Sequence, residues 1–119
     1  VSNKIFEISQ RQARRDYTKF NRLIFCNVLP PTPSVVTVRR LHKVWGWCHK
    51  LIEVDNGNVS VIIEITNKYP DRQTYQSVLA HEMVHAYQFL NGDTGNHNQM
   101  FYSFRDVFEL NDLTLKRIM

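Results

Sequence analysis

Cysteine is scarce. The chain of 119 residues has only Cys26 and Cys48, too few for a disulfide framework. Both stand in apolar surroundings, after Leu23-Ile24-Phe25 and Trp45-Gly46-Trp47. They read as small buried hydrophobes, and the expected setting is reducing and intracellular, cytoplasmic or nucleoid-associated. No stretch approaches the ~18 consecutive apolar residues that a membrane span needs, and no charged-then-apolar leader opens the sequence, so no membrane partner is expected. Internal repeats and low-complexity tracts are also missing. What is there is ordinary for a globular chain, 43% hydrophobic and 22% charged residues. The length fits one domain over residues 1–119.

Charge is unevenly spread. Residues 1–50 carry ten Lys/Arg against two acids, and residues 51–119 carry five against nine, which together give the net +4. A basic half allows a face for nucleic acid or another polyanion, with Arg11, Arg14, Arg15, Arg39, Arg40 and Lys43 as candidate contacts. A solvated helix face explains the α-helical arginines equally well.

From about Ser9 to Cys26, Ala13, Tyr17, Phe20, Ile24 and Phe25 recur at three- and four-residue spacings, which predicts an amphipathic helix. Pro30-Pro31-Thr32-Pro33 stops it with a stiff linker. Val35–Val38, Val44–Ile52 and Val59–Thr66 read as strands of a small antiparallel sheet. Asp55-Asn56-Gly57-Asn58 between the last two is expected to form a type I′ hairpin turn. A second long helix is expected over Gln73–Leu90, N-capped by Asp71 and stopped at Asn91-Gly92. A polar loop over Asp93–Asn96 leads to a third helix, about Asn98–Leu110, and Leu113–Met119 should add a helical turn or two. The fold class is α+β.

The second helix contains His81-Glu82-Met83-Val84-His85, an H-E-x-x-H pattern. Residues four apart lie about 40° apart around a helix, so both imidazoles leave one face and can share a metal ion. Neutral imidazole suits Zn2+, and three protein ligands leave a fourth position for water, whose pKa the metal lowers toward ~7. Glu82 can then act as general base without being a ligand. Five histidines and five glutamates put the pattern within reach of chance, so context decides. The surrounding helix is apolar nearly all round, from Val78 to Leu90. Two imidazoles and a carboxylate buried there would be costly unless something satisfied them.

The metzincin extension fails, because Gln88 and Asn91 stand where it needs Gly and His. For a third ligand, His97 is favoured over Glu109 and Asp93, since imidazole is the commoner ligand and a short loop with Gly92 and Gly95 can return the chain. One Zn2+ per chain is expected.

In order along the chain come Phe20-Asn21-Arg22-Leu23-Ile24-Phe25, Leu29-Pro30, Trp45-Gly46-Trp47-Cys48 and Ile62-Ile63-Glu64-Ile65. Leu79-Ala80-His81-Glu82-Met83-Val84-His85-Ala86 and Gly95-Asn96-His97-Asn98-Gln99-Met100-Phe101 follow. This series resembles the SprT-like, or Spartan-type, metalloprotease domain. The resemblance implies a minimal zincin-like fold, zinc on His81, His85 and His97, Glu82 as base, and proteolysis of protein substrates, DNA-associated proteins among them. Two features depart from the family pattern. Members often carry a Cys-rich zinc ribbon, for which two cysteines do not suffice, and Gly-Asn-His-Asn stands where His-Gly is commoner around the third ligand.

Two other readings stand beside it. One is a catalytically inactive zinc-containing module that binds DNA or a protein partner through its basic half. The other is a zinc hydrolase of a non-peptide ester or amide, since H-E-x-x-H gives the water chemistry and not the acyl group. Trp45 and Trp47 are expected in the core, with base stacking as the alternative. Tyr102, Phe104, Val107, Phe108 and Leu110 are expected in the core as well.

Overall fold

The computed structural model describes residues 5–32 and 35–117. The elements in order are β1 (Phe6–Glu7), α1 (Gln10–Phe25), β2 (Val36–Val38), β3 (Gly46–Ile52), β4 (Val59–Ile65) and β5 (Lys68–Tyr69). They are followed by α2 (Arg72–Leu90), α3 (Gln99–Tyr102) and α4 (Arg105–Leu110). The architecture is α+β, as the sequence implies. No helix among the described residues is long and apolar enough to cross a membrane.

Both long helices start at a side-chain cap, α1 at Ser9 and α2 at the Asp71 that the sequence indicated. Ser9 accepts the Gln12 N–H at 3.1 Å, and Asp71 accepts the Thr74 N–H at 2.7 Å, satisfying donors that a helix start otherwise leaves free. Ala13, Tyr17, Phe20, Ile24 and Phe25 are all buried along α1. Each of the large ones contributes roughly 1.5–3 kcal/mol on burial. At the far end of α1, Asn21 holds Leu29 through both its amide groups, so the chain turns back under the helix.

The three-stranded sheet has the order β2-β4-β3. It is not wholly antiparallel as the sequence suggested: β3 runs antiparallel to β4, but β2 runs parallel to it. The reason lies at the C-terminal end of β4. Val38 and Gly46 both pair with Ile65, and the Arg39 N–H donates to Ile65 while the Thr66 N–H donates to Trp45. The chain therefore passes round that end of β4 and descends on its other side. Val61, Ile63 and Ile65 point to the buried face, where α2 packs over β3 and β4 and α1 over β2. β1 and β5 form a separate two-stranded pair, too short to leave a period in the sequence.

Several local expectations are corrected. The hairpin turn is not type I′, since Gly57 alone has positive φ there and that turn needs two such residues. Asn56 closes a longer loop instead, accepting from the Asn58 N–H and donating to Glu53. The third helix is two short ones, because the chain breaks at Ser103-Phe104. Residues 113–117 are not helical. Pro33 of the linker, and Ile118 and Met119 of the last segment, lie outside the described residues. Trp45 and Trp47 are 36% and 49% exposed rather than core, and Leu110 is 84% exposed while Phe108 is fully buried. Cys26 is exposed at the left-handed end of α1 and Cys48 is half-buried; both are free thiols.

Candidate metal centre

Residues 77–84 of α2 are all buried, and among them stand His81 and Glu82, 4% and 5% exposed. Placing two such groups in a core is unfavourable by several kcal/mol unless partners meet them. The partners come from one place. His81, His85 and His97 each offer a ring nitrogen, and these atoms all lie within 4.8 Å of one another, so the triad could hold a metal ion. The Nε2 atoms of His81 and His85 are 3.2 Å apart. The fully buried Phe101 ring lies 4.7 to 5.2 Å from all three imidazole centroids, forming an apolar floor.

Gly95 brings His97 to this position. Its φ is +82°, and a Cβ there would fall 2.3 Å from the Phe89 ring, so both backbone conformation and space require glycine. Asn98 then caps α3 by accepting the Phe101 N–H at 3.1 Å. On the opposite element, Gly46 opens β3 beside Glu82. A Cβ at Gly46 would meet Glu82 Cγ at 3.1 Å. Together with Trp47, Cys48 and Arg117 these groups line an open cleft of about 340 Å³.

The orientation of His85 follows from Gln88. The Gln88 amide nitrogen meets three acceptors: Asp93 Oδ2 at 2.8 Å, the Asn96 carbonyl at 2.7 Å and Asn98 Oδ1 at 3.2 Å. Its oxygen therefore faces His85 Nδ1, at 2.7 Å. A neutral His85 must donate through Nδ1–H, which leaves the Nε2 lone pair pointing at His81. His81 cannot close this pair alone. Its buried Nδ1 has no hydrogen-bond partner among the described residues. The Lys116 backbone approaches closely enough to favour the protonated ring but makes no bond to that atom. With a proton on Nδ1, two Nε2 lone pairs face each other; with a proton on Nε2, Nδ1 is left bare. A cation shared by the Nε2 atoms removes the facing of lone pairs, with the His81 proton then on Nδ1 beside the Lys116 backbone, so the residues present fit a metal ion of imidazole preference.

Electrostatics agree with that fit. Burial, reinforced by His85 and His97, pushes His81 down to about 3. Burial also lowers His85, and burial with the Arg117 charge lowers His97. All three rings thus keep free lone pairs at neutral pH. Burial pushes Glu82 up to about 8, close to the pH at which a group can both take and release a proton.

The rival third ligands lie elsewhere. Asp93 is engaged with Gln88 and with Asn98 Nδ2, and Glu109 is exposed on α4; neither belongs to the metal-competent group. The basic candidates are not brought to one lining. Arg40 and Lys43 share a groove of about 650 Å³ with Trp45 and Lys68, Arg39 pairs with Glu64 at 3.2 Å, and Arg11, Arg14 and Arg15 lie on α1. This groove is larger than the histidine cleft but holds no metal-ligand set. Sequence reasoning overlooked Gly46 and Arg117 in the cleft lining, and Gln88 and Phe101 against the histidine rings. Only Gln88 had a signal, one helical turn beyond His85.

The profile described as the SprT-like family matches residues 13–109, a span that holds β3, β4, all of α2 and His97. No curated protein and no solved structure matches the chain.

Proposed function

The chain belongs to the SprT-like family, and on that premise we propose that residues 1–119 form one zincin-like domain, a zinc-dependent metallopeptidase acting on protein substrates. The observation that carries this reading is the convergence of three neutral imidazoles and the buried Glu82 carboxyl on one open cleft. His81, His85 and His97 would hold one Zn2+. The bound ion would supply Lewis acidity toward a carbonyl oxygen and the attacking water. Glu82 takes the proton from that water and returns it to the leaving amine. β3 pairs with β4 alone among the described strands, so its other edge is free to pair with an extended peptide beside the cleft. The absence of a side chain at Gly46 lets β3 lie directly against Glu82 and Val78 of α2, which seats the carboxyl beside that edge.

Glu82→Gln tests the mechanism. It should abolish hydrolysis of an unfolded protein substrate while leaving metal content intact; full activity in the variant would defeat the reading. A purely structural metal site, as in an inactive binding module, has no use for such a carboxylate.

A second reading concerns nucleic acid. The groove with Arg40, Lys43, Lys68 and the half-exposed Trp45 suits a strand whose phosphates meet the cations while a base stacks on the indole. DNA-associated substrates and an intracellular setting go with it, and Arg11, Arg14, Arg15 and Arg39 would add non-specific attraction. Arg40→Ala with Lys43→Ala should then weaken single-stranded DNA binding and reduce the slope of log affinity against log salt by about 1.4. Unchanged binding would remove the groove from the account.

A further inference from the structure

Gln88 is fully buried at the point where α2 meets the His97 loop, and every polar atom of its amide is used. Its oxygen accepts from His85 Nδ1, and its nitrogen is shared among Asp93, Asn96 and Asn98. These three flank His97 in sequence. Asp93 in turn accepts from Asn98 Nδ2 at 3.0 Å, and Asn98 caps the helix that carries Phe101. One amide thus joins the ring of one histidine to the loop that delivers another.

We propose that Gln88 is the positioning residue of the metal centre: it fixes His85 as the Nδ1–H tautomer and clasps the 93–98 loop so that His97 meets His81 and His85. This rests on the reading of the triad as a metal site. An apolar residue of similar size would fill the same space. It would leave the His85 ring free to turn or change tautomer, and the Asp93, Asn96 and Asn98 acceptors without their common donor. Partners that hold the far nitrogen of a metal-ligating histidine are commonly worth 10–100-fold in metal affinity.

The test compares the full chain with Gln88→Met and Gln88→Glu. Zinc affinity is measured by competition with a chromogenic chelator, histidine ring tautomers by 15N NMR of the metal-free form, and folding by thermal unfolding. For Gln88→Met the expected result is a cooperative unfolding transition, zinc affinity lower by about 10–100-fold, and a His85 ring that is no longer purely Nδ1–H. Affinity within twofold of the parent together with an unchanged His85 ring would overturn the proposal. Gln88→Glu keeps the acceptor and loses the donors. Its His85 ring should stay Nδ1–H while zinc affinity falls, and parental affinity there would overturn the loop clasp even if Gln88→Met fails to fold. Should the parent take up no zinc, the metal reading fails separately, and the ring spectra still decide the positioning role. A parental His85 in the Nε2–H form would refute it; an Nδ1–H ring released by Gln88→Met would uphold it.

Discussion

Glu82→Gln should stabilise the metal-free protein, and increasingly so as pH rises from 6.5 to 8. In the fold, burial holds the carboxyl's pKa at about 8, against 4.5 as its ordinary value. Between those two values the native chain keeps a proton that the unfolded chain has lost. Stability therefore falls as pH rises, by about 1.4 kcal/mol per unit. His81 acts with the opposite sign. Its folded pKa of about 3 lies below the ordinary 6.5, so the unfolded chain binds the extra proton below pH 6.5 and stability falls on acidification. The two slopes oppose each other between 4.5 and 6.5. Above 6.5 the unfolded chain sheds its remaining imidazole protons, and it does so equally in the parent and in Glu82→Gln, so the difference between the two proteins reports Glu82 alone. Over pH 6.5–8 the parent should thus lose about 2 kcal/mol relative to the glutamine variant, which cannot ionise. In a chain of this size that is a divergence of roughly 5–8 °C in unfolding temperature. The assay is chemical or thermal unfolding of both proteins, metal-stripped, at half-unit pH steps. A constant offset between the curves reflects the amide itself and is immaterial; the divergence is the signal. Parallel curves from pH 6.5 to 8 would refute the raised Glu82 pKa and the desolvated pocket behind it.

Three further outcomes follow from single contacts. Gly95→Ala places a Cβ against the Phe89 ring at a left-handed residue. It should destabilise by about 2–4 kcal/mol and weaken zinc binding, whereas Gly57→Ala, with open space around it, should cost about 1 kcal/mol and leave zinc binding alone; equal effects in unfolding and zinc titration would contradict the close approach. Tyr75→Phe removes the 2.6 Å donor to the buried Asp16, leaving it the Gln12 amide, and should cost about 1–3 kcal/mol in denaturant unfolding without changing metal content. Gly46→Ala, tight against Glu82, Ile65 and Val78, should lower peptide hydrolysis more than zinc affinity, and the reverse order would place Gly46 in structural support of the ligands instead.

Much of the fold could be read from the chain because local chemistry and tertiary packing agree there. Ser9 and Asp71 cap the helices the apolar spacing predicts, and His81 and His85 fall on one face of a buried helix because four residues make little more than one turn. The readings that failed are those settled by distant contacts. The direction of β2 depends on where the chain rounds β4, which no periodicity encodes. Trp45 and Trp47 satisfy a strand pattern, yet they lie toward solvent because α2 covers the other face with Val61, Ile63 and Ile65. Cys26 looked apolar from its neighbours but ends α1 in a left-handed conformation outside the core. For the candidate site, the H-E-x-x-H pattern and a short glycine loop pointed to all three imidazoles. Gln88, Phe101 and Arg117 stayed hidden because their roles exist only once the 93–98 loop and the tail close over α2.

Metal content per chain, measured by elemental analysis after equilibration with zinc, tests the central claim most directly, with His97→Ala and Glu109→Ala beside the parent. The account predicts about one zinc in the parent and in Glu109→Ala, and loss or marked weakening in His97→Ala. A parent that holds no metal under those conditions would contradict the three-histidine centre and, with it, the peptidase.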